Sequence, residues 1–349
     1  MLPTRPAGQR RADDAAICAA MIRGGSKSFH AASLVLPRRV RPPAYALYAF
    51  CRLADDAVDE DGQTGAAGRL LMRLRRLAAD NPVDHPADRA FAEVMRRHHI
   101  PLEIPAALIE GLAWDEQGRR YETMADLEAY GARVAGTVGA MMTLIMGVRD
   151  PHALARATDL GVAMQLSNIA RDVGEDAARG RLYLPRGWMR AEGLDPDAWL
   201  ESPRFDARLG RVVLRLLAHA EMLYDRAAAG IGALPADCRT GIGAARALYR
   251  EIGRLVAARD GNGVDSRAVV GKGRKLTLLI GAALGGRTSM ADAGQAEAPA
   301  LEACGFLIDA VTRADRMRPR PLHSMPDGVE RALDLFVAAS LHISATRGA

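Results

Sequence analysis

Aromatic residues are scarce in this chain, at 5% of 349 residues, and the cysteines number only four. Cys18, Cys51, Cys238 and Cys304 are widely separated and form no CxxC pair, which argues against a disulfide framework or a cysteine zinc site. That usage fits a reducing cytoplasm. No apolar run reaches the roughly 18 residues that a membrane span requires. There is no alternating apolar–polar pattern and no internal repeat. The missing alternation and the low aromatic content exclude a β-sandwich or barrel. The opening segment, Met1 to Arg11, carries arginine and proline but no apolar centre, so it does not read as a signal peptide.

What is present is helical. Hydrophobic residues make up 49% and charged residues 26%, an ordinary globular balance. The length suits one large domain or two small ones. A net charge of +5 favours anionic partners without choosing among phosphate esters, membranes and nucleic acid. Leu70, Leu71, Leu74 and Leu77 recur at helical spacing, as do Val212, Leu216 and Met222. Prolines punctuate the pattern at Pro37, Pro42, Pro43, Pro82, Pro101, Pro151, Pro185, Pro196, Pro203 and Pro235. The expected class is all-α. One helical domain is expected over 15–285, followed over 286–349 by a linker and a C-terminal helical extension packed on the bundle. The extension's helical pattern runs from Val329 to Ser344, after the basic, proline-rich Arg316 to Pro321. Val134 to Val148, uncharged between Arg133 and Arg149, reads as a helix buried on all sides.

Two acidic stripes carry chemistry. In the first, Asp55 and Asp59 are four apart and share a helix face, and Asp56 and Glu60 repeat the relation one step round. Like charges at that spacing cost a helix about 0.2–0.5 kcal/mol each, and no lysine or arginine lies inside the cluster. A solvated acidic helix end is the plain alternative. In the second stripe, Asn168, Asp172 and Asp176 follow at successive turns, flanked by Gln165 and Glu175. Leu166, Ile169 and Val173 give that helix a packed side, so its polar side is aimed at something. Facing oxygen-rich walls without histidine or cysteine suit Mg²⁺ better than zinc. Bound cations would remove the like-charge penalty.

The motifs resemble those of the squalene and phytoene synthases, which join two allylic diphosphates head to head. The resemblance spans roughly Cys18 to Leu284. It rests on Ser26-Lys-Ser-Phe29, Tyr48-Ala-Phe-Cys-Arg52, Asp55-Asp-Ala-Val-Asp-Glu60, Val134-Ala-Gly-Thr-Val-Gly139, the run from Gln165 to Asp176, and Arg179-Gly-Arg-Leu-Tyr-Leu-Pro185, in the family's order. Arg133 to Gly139 and Gly271-Lys-Gly-Arg-Lys275 are most similar to the bacterial phytoene-forming members.

The resemblance implies a single isoprenoid-synthase bundle around a central cavity, with an acidic stripe on each wall. It implies Mg²⁺, or Mn²⁺ in its place, on Asp55, Asp59, Asn168, Asp172 and Asp176, with Asp56 beside them. It also implies a diphosphate cradle of Ser26, Lys27, Ser28, Tyr48, Arg52, Arg171, Tyr249, Arg267 and Lys275. For Ser26 the alternative is a helix N-cap, and for the tyrosines it is core packing. Tyr130 matches a tyrosine that manages carbocation and proton steps. Its neighbour Gly131 departs from the cysteine of many relatives. Val134 to Val148 would line the prenyl tunnel.

The implied reaction converts two geranylgeranyl diphosphates to phytoene through prephytoene diphosphate, a prenyl transfer that opens carotenoid biosynthesis without NADPH. The alternative is squalene or dehydrosqualene formation from farnesyl diphosphate, squalene needing NADPH. A non-catalytic basic helical protein is a second rival, and it leaves the acidic stripes unexplained. The expected location is cytoplasmic, with peripheral membrane contact through Arg316 to Arg320 and the final helix. Other carotenoid-pathway enzymes are candidate partners, and nucleic acid is not.

Overall fold

The computed structural model describes residues 7–61, 65–284 and 293–318, with the side chains of 7, 27, 28, 59–61, 284 and 293 outside the description. Every regular element among the described residues is helical. The chain divides into two compact units, residues 1–311 and 312–349. The predicted helix Val329–Ser344 lies outside the described residues, as do the rest of the expected tail beyond Arg318 and the stretch 285–292.

The first unit opens with α1 (Ala7–Gly25), α2 (Lys27–Ser33) and α3 (Arg41–Asp61), which carries the first acidic stripe. Next come α4 (Ala66–Ala78), α5 (Pro86–His98), α6 (Glu103–Glu116) and α7 (Met124–Gly131). A π-helical turn at Ala132–Gly136 leads into α8 (Thr137–Ile145), and α9 (Pro151–Ala178) carries the second stripe. Short α10 (Arg186–Ala191) and α11 (Pro196–Glu201) precede the long α12 (Ala207–Gly230) and α13 (Ala236–Ala257). α14 (Lys272–Leu284), α15 (Ala293–Glu297) and the start of α16 (Gly305–Met317) complete it.

The prolines act as starters more than as breakers. Pro151 and Pro196 occupy the first turns of α9 and α11, where the missing N–H costs nothing. Asp150 and Asp195 cap those helices by accepting from main-chain N–H groups. Leu70, Leu74 and Leu77 are buried as their spacing requires. Met222 is not: it is 45% exposed, because only Val212 and Leu216 fall on the inward stripe of α12.

α9 is the axis of the bundle. It packs against the π-turn, α8, α12 and α13. Its contact with α8 is backbone on backbone. A Cβ at Gly139 would overlap the Ala157 carbonyl, and a Cβ at Gly161 would overlap the Ala135 carbonyl. Gly161→Ala is therefore expected to lose about 1–3 kcal/mol of stability through forced separation of these helices. Urea unfolding of the purified variant measures it, and an unchanged midpoint would refute this packing.

The segment Val134–Val148 differs from its expected form in two ways. It begins as a π-turn and its helix ends at Ile145. It is also not buried on all sides, since Val134, Ala135, Val138, Gly139, Met142 and Met146 face a cavity. Composition cannot separate a core face from a cavity face when the cavity is itself apolar.

Candidate active site

That cavity, of about 310 Å³, lies between α2, α3, the π-turn, α8, α9, α12 and α13. Most of its wall is Leu, Ile, Val, Ala and Met. At one end Tyr48 and Cys51 of α3 meet Gln165 and Asn168 of α9 and Tyr249 of α13. At the far end stand Met146, Ala153, Arg156 and Leu234. Asn168 and Arg156 are twelve residues apart on α9, roughly 18 Å along its axis. The cavity is therefore deep enough to take a long apolar chain whose head stays at the polar end.

On the α3 wall, Arg52 grips Asp56 through Nε at 3.0 Å and Nη2 at 2.6 Å. Its Nη1 reaches Asp55 at 4.0 Å. The first stripe thus has a local counter-charge one turn upstream, where the sequence reading saw no neutralising group within the cluster. Asp59 follows one turn after Asp55 on α3, but its side chain lies outside the described residues.

On the α9 wall, Asp172 is held from two sides. Arg171 donates to it from Nε at 2.7 Å and from Nη2 at 2.5 Å. Arg267 approaches with Nε at 2.9 Å and also reaches Glu175 at 3.5 Å. The loop carrying Arg267 is seated tightly: the Gly174 N–H donates to the Gly263 carbonyl at 3.0 Å, and neither glycine has room for a Cβ. Burial, with help from the Asp172 charge, pushes Asp176 from 3.8 up to about 7. Asn168 Oδ1 is buried and has no hydrogen-bond partner.

Between the walls sits a group that the sequence reading missed. Asp115, near the end of α6, accepts hydrogen bonds from Tyr130 and Tyr183, both at 2.8 Å. The two rings stack at 5.1 Å, and Tyr121 joins them at 5.3 and 5.9 Å. Burial lifts the Asp115 carboxyl from 3.8 to about 6, even though both phenols favour its charged form. Asp115 feels the charge of Asp55, and Asp176 feels that of Asp115, so both acidic walls converge here. Burial also drives the Tyr130 hydroxyl well above its usual range, keeping it protonated. A signal was available: Ile104, Leu108, Gly111 and Asp115 continue one helical stripe, so the acid falls in line with the buried face.

The other predicted residues take mixed places. Ser26 caps α2 by accepting from the Phe29 N–H at 3.3 Å, and it also meets the Tyr249 hydroxyl. Phe29 lies between Tyr48 and Tyr249, with ring centres 6.3 and 5.4 Å away. Tyr48 packs its hydroxyl over Gly25, where any side chain would collide. The side chains of Lys27 and Ser28 lie outside the described residues. Lys275, on α14, has no ion-pair partner among the described residues, while its neighbour Arg274 binds Glu251 at 2.7 Å.

Among the described residues, no three histidine, cysteine or acidic side chains converge into a closed metal cage. The donor set is nevertheless suited to a hard cation. Asn168 presents an orphaned oxygen, and Asp176 is buried beside the like charge of Asp172. Mg²⁺ commonly takes only one or two protein carboxylates and completes its shell with phosphate oxygens and water.

A deep apolar cavity headed by arginines and carboxylates defines a helical protein built for a long hydrocarbon with a polyanionic head. Comparison with known proteins agrees. The squalene/phytoene synthase family profile matches residues 22–274, and the chain belongs to that family. It is 54% identical to the phytoene synthase of Rhodobacter capsulatus, over 78% of this chain and 81% of that protein. It is 49% identical to the phytoene synthase of Cereibacter sphaeroides, over 87% and 89%. A ligand-bound dehydrosqualene synthase superposes with a TM-score of 0.73 at 30% identity, over 80% of this chain and 99% of that one.

Proposed function

We propose that this protein is a phytoene synthase, joining two geranylgeranyl diphosphates head to head and releasing both diphosphates. The observation that carries the reading is the cavity, apolar along most of its length, with the acidic stripes and their arginines on α3 and α9 one turn beyond its polar end. The phytoene synthases at 49–54% identity support the twenty-carbon substrate over a fifteen-carbon one.

The chain's own groups divide the work. Arg52, Arg171 and Arg267 offer planar, two-pronged donors to diphosphate oxygens once Asp56 and Asp172 release them. Ser26, Tyr48 and Tyr249 add hydroxyl donors at the cavity mouth. Asp55, Asp59, Asn168, Asp172 and Asp176 would hold Mg²⁺, which supplies charge neutralisation for a departing diphosphate.

One substrate loses its diphosphate, and the double bond of the other attacks the allylic cation. Proton loss then closes the cyclopropane of prephytoene diphosphate. Loss of the second diphosphate, ring rearrangement and a final proton loss give phytoene. Tyr130, held by Asp115 and kept neutral by burial, presents its phenol oxygen and ring beside these cations without offering a nucleophilic anion. The apolar wall excludes water that would trap them.

The test is stoichiometric. Incubation with geranylgeranyl diphosphate and Mg²⁺ is expected to release two diphosphates per hydrocarbon formed, and EDTA to stop both. Diphosphate release without hydrocarbon would contradict condensation.

A further inference from the structure

Arg156 lines the far end of the cavity, yet it plays no part in the chemistry described above. It is 2% exposed and sits on α9 against Gly230, whose missing side chain leaves room for the arginine stem. Its Nε lies 2.8 Å from Asp159, which is fully buried and also binds Arg226 Nε at 3.0 Å. One carboxylate thus faces two guanidinium groups. The remaining donors turn to a distant segment: Arg156 Nη1 donates to the carbonyls of Gln295 at 2.5 Å and Ala298 at 3.0 Å. Arg156 Nη2 and Arg226 Nη2 both donate to the Pro299 carbonyl, at 3.1 and 2.7 Å. A buried cation needs partners for its donors, and here a five-residue stretch of main chain supplies the acceptors for Nη1 and Nη2.

The same segment is pinned again a few residues on. Cys304 and Leu307 are fully buried and fill the space over Gly136 in the π-turn. The Cys304 thiol also hydrogen-bonds Thr158, next to the Arg156–Asp159 pair. Phe306 lies against the Arg133 guanidinium at 5.3 Å. The opposite face of that π-turn supplies Val134 and Ala135 to the cavity wall. Residues 295–307 therefore back the cavity at two places, although they lie beyond the part of the chain that matches the family profile.

We infer that Arg156 is a positioning residue for the proposed reaction: by fastening residues 295–299 behind α9, it keeps the distal end of the prenyl cavity closed to water. The role rests on the cationic chemistry proposed above, since only a reactive cation makes a leak visible in the products. Arg156→Met removes three hydrogen bonds to the strap and leaves Asp159 to Arg226. Water that enters there travels along the cavity to the allylic cation at its polar end and leaves as a prenyl alcohol whose oxygen comes from solvent, with loss of one proton.

The experiment compares parent, Arg156→Met and the milder Arg226→Met, which loosens the same strap from a half-buried position. Each is incubated with geranylgeranyl diphosphate and Mg²⁺ in ¹⁸O-water. The expected result is a several-fold rise in ¹⁸O-labelled alcohol relative to hydrocarbon in both variants. A general loss of active enzyme lowers both products together and leaves that ratio unmoved. Folded variants with the parent's ratio overturn the inference. Hydrogen exchange of the same proteins without substrate reads the fastening itself: amides 295–307 are expected to lose protection while those of α13 keep theirs. Unchanged exchange at 295–307 overturns the fastening whatever the substrate proves to be. A parent that forms no hydrocarbon, with the strap loosened as expected, contradicts the proposed function and the water-excluding role but not the fastening.

Discussion

Asp172→Asn is expected to lower kcat on the order of 10²–10³-fold, the scale seen when one preorganised charge-stabilising group is lost. Asp172 is the convergence point of the α9 wall, with Arg171 on one side and Arg267 on the other. The amide keeps the shape and loses the charge. It can no longer hold a cation or balance both guanidinium groups when the diphosphate arrives. Circular dichroism should remain that of the parent, because the residue sits at the cavity head and not in the core. Steady-state kinetics with saturating Mg²⁺ give the answer, and parent-like turnover would remove Asp172 from the machinery.

Asp115→Asn is expected to cost on the order of 10²-fold in kcat, in the range of a lost proton-handling or orienting group. Its carboxylate accepts from both Tyr130 and Tyr183, whereas an amide can accept from one and must turn N–H groups toward the other. Tyr130 would then lose its fixed orientation. The variant also carries a pH signature. Burial raises the Asp115 carboxyl from 3.8 to about 6, so the folded protein holds this proton more tightly than the unfolded chain does. That stabilising contribution is complete below the unfolded value and is lost as pH rises through about 6. Asparagine has no such titration. Between about pH 4 and about pH 7, the Tm difference should therefore move in favour of the variant. A difference that stays flat across that window would mean Asp115 is not buried as described.

How much of this was legible depends on the residue. The two stripes announced themselves because carboxylates repeating at helical spacing are unfavourable without a ligand, and both stand on the expected helices. Asp115 did not, because a single acid closing an apolar helix looks like a solvated end. Only its register with Ile104, Leu108 and Gly111 marks it as inward. Arg52 belongs to the diphosphate cradle that the resemblance implies, but its grip on Asp56 follows from side-chain reach and not from spacing alone. The π-turn at Ala132–Gly136 left no trace in composition. Arg156 was hidden among 47 basic residues, since its acceptors lie about 140 positions downstream and are main-chain carbonyls without sequence identity.

The most direct test of the central claim is product analysis by chromatography and mass spectrometry. Purified protein meets geranylgeranyl diphosphate or farnesyl diphosphate separately, with Mg²⁺, in the presence and absence of NADPH. The account predicts a forty-carbon hydrocarbon with a central conjugated triene from geranylgeranyl diphosphate, independent of NADPH. A thirty-carbon hydrocarbon formed only from farnesyl diphosphate would contradict it, and NADPH dependence would then separate squalene from dehydrosqualene formation.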